Sequence, residues 1–125
     1  MTRPAATPEP EPKRGGRSIT VLVVADLVDR YGIQQPATTH AIVADLVARD
    51  ALGFERYGQN LETHDGRNTL NDLYQELLDG AQYARKAIEE GLDNAHLRSV
   101  YRDLLAALCD IRHQLDDQKE AEHGQ

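Results

Sequence analysis

The stretch TLNDLYQELLDGAQYARKAIEEG, residues 69 to 91, decides the fold. Leu70, Leu73, Leu77, Ala81, Ala84 and Ile88 recur at spacings of three and four, which lines them up along one side of an α-helix. Gly91 stands where such a helix stops. A stripe of this kind must be covered, and the following residues offer a match. From about 94 to 117, Leu97, Tyr101, Leu104, Leu108, Ile111 and Leu115 alternate spacings of four and three, the pattern of a coiled-coil seam. That seam serves equally the core of one chain or a second copy.

Upstream, Ser18 precedes ITVLVVADLVDRYG, an apolar segment that is β-branched at its start, so strand and helix compete there. The spacing favours a helix from about 19 to 31. Pro36 breaks the chain, Thr38 or Thr39 offers a cap, and a second helix carrying Ile42 and Leu46 is expected to run to about Leu52. Both segments contain VADLV with an arginine two places on, at Arg30 and at Arg49, an echo compatible with duplication or with convergence of two amphipathic helices. Between Gly53 and Asn68 the sequence is rich in Gly, Asn, Asp and His, which marks a loop. The expectation is an all-α bundle of about four helices. Residues 18–118 form its single domain, 1–17 a disordered tail holding four prolines, and 119–125 a loose end.

Hydrophobic residues make up 40% of the 125 but aromatic ones only 5%, so the core rests on Leu, Val, Ile and Ala. A small helical domain with so little bulk is expected to hide more apolar surface by self-association, as a homodimer or homotetramer. The net charge of -7 argues against a nucleic-acid polymer as partner, because such binders carry a basic stripe for phosphate. A nucleotide stays within reach if metal ions stand between carboxylates and phosphates. No apolar segment is long enough to cross a membrane, and no basic start leads into one. The single cysteine, Cys109, reads best as a buried structural thiol, so the expected setting is cytoplasmic.

Asp72, Glu76 and Asp79 sit four and three apart, so three carboxylates share one helix face over roughly 10 Å. Like charges at these spacings repel by roughly 0.2 to 0.5 kcal/mol per pair, a cost that a divalent cation removes. No basic residue follows until Arg85 and Lys86, and Leu73 and Leu77 place the acidic face beside the apolar stripe. Oxygen ligands of this kind suit Mg2+ or Mn2+, while an ordinary solvated acidic face is the plainer alternative.

The segment GRNTLNDLYQELLDGAQYARKAIEE, with ERYGQNL just upstream, resembles the MazG-like nucleotide pyrophosphohydrolases, particularly their small phage-type members. The resemblance covers about residues 40 to 90. It implies an all-helical fold in which an ExxD motif faces an ExxE motif of an earlier helix across a metal site. Glu76 and Asp79 match the ExxD half, but no E, two residues, E occurs upstream. Asp45 and Asp50, with Arg49 beside them, are the nearest substitutes. The implied reaction converts a (deoxy)nucleoside triphosphate, of which dGTP and dATP are the family-type candidates, to the monophosphate and pyrophosphate. Glu76 and Asp79 would ligate metal, with Asp72 or Asp45 completing the shell or orienting the water. Arg67, Arg85 and Lys86 are candidate phosphate donors, each otherwise an ordinary surface cation. Asn60 and Asn68 are candidates for base or sugar contacts, although capping explains Asn68 equally well. Tyr57 and Tyr83 are candidates for stacking on a base, with a half-buried core position as the alternative. His64, in the loop, reads as solvent-exposed or as a contact to phosphate or metal. Without the ExxE half, the alternative function is a helical nucleotide-binding or oligomeric interaction protein that lacks turnover.

Overall fold

A computed structural model describes residues 16–58 and 61–123. Most of the expected N-terminal tail, residues 1 to 15, and the candidate Asn60 lie outside that range. Four α-helices follow in order: α1, Ile19–Tyr31; α2, Pro36–Tyr57; α3, Thr69–Glu89; and α4, Ala95–His123. The described residues form no strand, only one isolated antiparallel bridge between Ser18 and Glu62. The chain divides into two compact units, Met1–Arg67 and Asn68–Gln125. Helix α1 packs on α2 in the first, and α3 packs on α4 in the second. Among the described residues no helix is long and apolar enough to cross a membrane.

In the first unit, Ser18 settles the competition at the start of α1. Its Oγ accepts a hydrogen bond from the Val21 amide at 3.4 Å, satisfying a donor that a helix start leaves open. Leu22, Val23 and Leu27 are then half-buried. Helix α2 departs from expectation at both ends. It begins at Pro36 itself, two residues ahead of the Thr38 or Thr39 cap, because proline lacks only a donor that the first helical position does not use. Thr39 is buried inside the helix. At the other end α2 runs past Leu52 and through Gly53 to Tyr57, so the loop that follows is shorter than the sequence suggests. Gly58, at φ 73°, supplies the left-handed residue that closes it, and its amide donates to the Phe54 carbonyl at 2.8 Å.

Beyond that stop, the chain returns to the beginning of α1. The Ile19 amide donates to Leu61 O and the Thr63 amide to Arg17 O, both at 2.9 Å. The Arg17 amide in turn donates to Thr63 Oγ1 at 2.9 Å. Arg17 therefore pairs with the 61–63 segment, although its composition groups it with the tail. Asp65 is buried, and its Oδ1 accepts from the Arg67 amide at 3.1 Å. Among the described residues of this unit, Thr39 and Asp65 are buried but no apolar side chain is. Val28, Ile33, Val47, Leu52 and Phe54 stand largely in solvent.

The second unit has a true, if thin, core in Ala81, Ala84, Ile88 and Leu115. Gly80 faces Leu104 of α4, where an added Cβ would make an ordinary 3.5 Å contact. The Arg112 guanidinium lies over the Tyr74 ring at 5.7 Å, and Arg85 over Tyr101 at 6.0 Å, so α4 meets α3 along the seam read from sequence. Asn68 caps α3 by accepting from the Asn71 amide at 3.1 Å, and Asn94 caps α4 by accepting from the Leu97 amide at 2.9 Å. Helix α4 continues to His123, beyond the end expected near 117, with Arg112 paired to Asp116 at 3.0 Å. Cys109 is exposed rather than buried, because it falls between the seam positions Leu108 and Ile111.

The α3–α4 turn carries a two-pronged ion pair between Arg98 and Asp93, whose second contact, Nη2 to Oδ2, is 2.8 Å. That hydrogen bond holds the Asp93 carboxyl below its ordinary range and raises the guanidinium. The pair's contribution is therefore present at neutral pH and is lost as pH falls through the lowered folded-state value. In Arg98→Gln, an NMR titration of the Asp93 carboxyl is expected to return to the usual aspartate midpoint. For Gly53, where an added Cβ meets nothing within 4 Å, alanine should raise stability by roughly 0.5 to 1 kcal/mol in urea unfolding. Alanine at Gly91, held at φ 105°, should lower it by roughly 1 to 2 kcal/mol.

Candidate functional site

Helix α3 carries the residues that sequence singled out, and its packing fixes where they point. At 100° per residue, Asp72, Glu76 and Asp79 fall within about 60° of one another, and Ala81, Ala84 and Ile88 centre about 150° away. The carboxylates thus lie on the side turned from α4, not along the edge of the apolar stripe as Leu73 and Leu77 suggested. Leu73 is itself exposed. Glu76 and Asp79 stand in solvent and Asp72 is half-buried. Asp72 also occupies the first turn, where a negative charge meets the positive end of the helix dipole favourably.

The same face continues toward the C-terminus. Asp79, Gln82, Tyr83 and Lys86 border a shallow depression that is open to solvent. Tyr83 is 72% exposed, so its ring is not a core element. Lys86 donates to Glu90 Oε1 at 2.7 Å and Arg85 pairs with Glu89 at 2.6 Å, both as bridges one turn apart on the helix. The two cations are thereby held extended along α3, Arg85 turned toward Tyr101 and Lys86 beside the depression.

The other candidates are distributed differently. Asp45, exposed, and Asp50, half-buried, are on α2 with the exposed Arg49. Tyr57 ends α2 and is 60% exposed. Arg67 closes the first unit, its amide engaged by Asp65. The side-chain oxygen of Asn68 is taken up by the α3 cap. His64, exposed, adopts φ 56° in the left-handed region. Gln82 went unremarked in the sequence, although its position three residues after Asp79 places it on the same face.

Among the described residues, no three His, Cys, Asp or Glu side chains are grouped closely enough to hold a metal ion. Carboxylates spread along a helix do not converge by themselves, and those of α3 stay separate. No family model, no curated protein and no solved structure matches the chain.

The like-charge spacing on α3 has a measurable signature. Glu76→Gln removes one repulsive pair with Asp72 and one with Asp79, so in metal-free buffer it should raise the stability of the chain by roughly 0.4 to 1 kcal/mol. Adding Mn2+ should stabilise the parent in urea unfolding more than it stabilises Glu76→Gln.

Proposed function

We propose that this chain is a metal-dependent nucleoside triphosphate pyrophosphohydrolase that converts a (deoxy)nucleoside triphosphate, dGTP or dATP among the candidates, to the monophosphate and pyrophosphate. The observation that carries this reading is the outward face of α3, where Asp72, Glu76 and Asp79 share one side of the helix and lead into the exposed stretch of Gln82, Tyr83 and Lys86. The MazG-like order of residues around it supports the same chemistry. Glu76 and Asp79, with Asp72, would hold Mg2+ or Mn2+. Because these do not form a complete group by themselves, the remaining donors come from outside α3. A bound divalent ion supplies charge neutralisation for the phosphates and a more acidic water.

The chain's own residues then have distinct tasks. Asp72 or Asp45 orients the water by accepting its proton in a hydrogen bond. Arg67, Arg85 and Lys86 donate to phosphate oxygens, the last two by exchanging their glutamate partners for the substrate. Self-association as a homodimer or homotetramer would cover the apolar side chains that the first unit leaves in solvent. A cytoplasmic setting suits an exposed lone thiol. A second reading, nucleotide binding without turnover, is favoured by the incomplete donor group.

Pyrophosphate release from each of the four deoxynucleoside triphosphates, with and without Mg2+ or Mn2+, tests the proposal. Metal-dependent release is expected, and Asp79→Asn should reduce it about 100-fold while leaving the circular dichroism of the helices unchanged. Metal-dependent nucleotide binding without release from any of the four selects the second reading. Absence of both binding and release overturns the two together.

A further inference from the structure

We infer that two copies of this chain pair through one side of the α1–α2 unit and close into a four-helix bundle; this rests on the self-association proposed above and not on the nucleotide chemistry. The two helices run antiparallel, because the Ile19 amide at the start of α1 is bonded to Leu61 just beyond the end of α2. Each helix then carries two stripes. The half-buried Thr20, Val23 and Leu27 of α1 meet the buried or half-buried Thr39, Val43, Leu46 and Asp50 of α2, all at spacings of three and four. A second stripe lies roughly 90° further round each helix: Val21, Val24, Val28 and Tyr31 on α1, and His40, Val47, Ala51 and Phe54 on α2. Antiparallel helices reverse their sense of rotation when viewed from one end, so this equal turn brings both second stripes to the same side of the pair.

That side is largely apolar. Val21, Val28, Val47 and Phe54 each keep more than half of their surface in solvent. No Lys, Arg, Asp or Glu stands in either second stripe, while Asp26, Arg30, Arg49 and Arg56 fall on the opposite side of the pair. The exposed face amounts to roughly 700 Å², more than a monomer usually leaves open and close to the roughly 800 Å² that each partner gives to a stable interface. Two apolar stripes per helix are what a four-helix bundle requires, since each member has two neighbours. The occupant is a second copy because such a face needs an uncharged counterpart. The α3–α4 pair offers none among its described residues: Arg85 and Arg112, each beside a tyrosine of the facing helix, mark one flank, and Glu76 and Asp103 the other. The same face of another chain is the match, brought round by a two-fold axis. Its burial supplies the apolar core that the described residues of the first unit lack.

Sedimentation equilibrium of the full chain over a range of concentrations, beside circular dichroism, tests the interface. The parent is expected to be a dimer. Val28→Ala and Val47→Ala should each raise the dissociation constant about tenfold, since a two-fold contact loses the same methyl groups twice. Alanine favours helix more than valine does, so neither change unwinds α1 or α2 through propensity. Asp26→Lys, on the opposite side, should leave the constant within about twofold. A parent that stays monomeric at every concentration overturns the proposal. A dimer that the two alanine variants leave as tight as the parent overturns it too, because the copies then join elsewhere. Pyrophosphate assays on the same samples keep the two readings apart. A dimer that neither binds nor turns over any nucleotide sustains the interface and removes the hydrolase, and turnover by a monomer removes the interface alone.

Discussion

The close packing of Ala81, Ala84 and Ile88 of α3 against α4 is the contact on which the reading of this protein depends. It fixes the rotation of α3 about its own axis, and with the rotation it fixes everything the opposite side presents. Small side chains make up most of it, and a Cβ added at Gly80 would reach ordinary contact with Leu104. Were a bulky residue to stand at position 81 or 84, the helices would have to separate, and α3 could seat with another side inward. The direction in which Glu76 and Asp79 point is therefore set by residues with no polar chemistry of their own.

Charge completes what packing begins. The buried positions of α3 carry no charge, and its remaining surface is split between the carboxylates at 72, 76 and 79 and a mixed stretch in which cations and glutamates alternate. Arg85 and Lys86 find glutamates one turn later and do not neutralise Asp79 one or two turns earlier. Glu76 and Asp79 stand on the exposed surface between those pairs and the first turn of the helix. The first unit is built on another principle. With no buried apolar side chain among its described residues, it depends on caps, on the Gly58 stop and on the Arg17 to Thr63 pairing.

Much of this architecture was legible in the sequence because it is local. The limits of α1 and α3 follow from Ser18, Asn68 and Gly91, each of which acts on its own backbone within a few residues. The α4 seam was readable for the same reason. What escaped was decided by alternatives that composition does not rank. Gly53 looked like a terminator, yet a glycine inside a helix only weakens it, and the left-handed Gly58 is where the ladder closes. Arg17 carried the composition of a tail, but its partner Thr63 lies 46 residues away, beyond the reach of any periodicity. At the site, spacing was enough to place Asp72, Glu76 and Asp79 on one face. Whether that face met the core or the solvent depended on α4.

The pairing of Arg17 and Ile19 with Leu61 and Thr63 turns the first unit into a closed ring of chain, α1 and α2 being the arc and three short hydrogen bonds the clasp. Closing a ring of that length costs entropy that local helix formation does not, so the clasp is the step of folding with the longest reach in sequence. The helices can form first and wait for it. Once shut, it removes the free N-terminal end from which α1 would otherwise unwind, and ties the beginning of the helix to the loop that leads into α3.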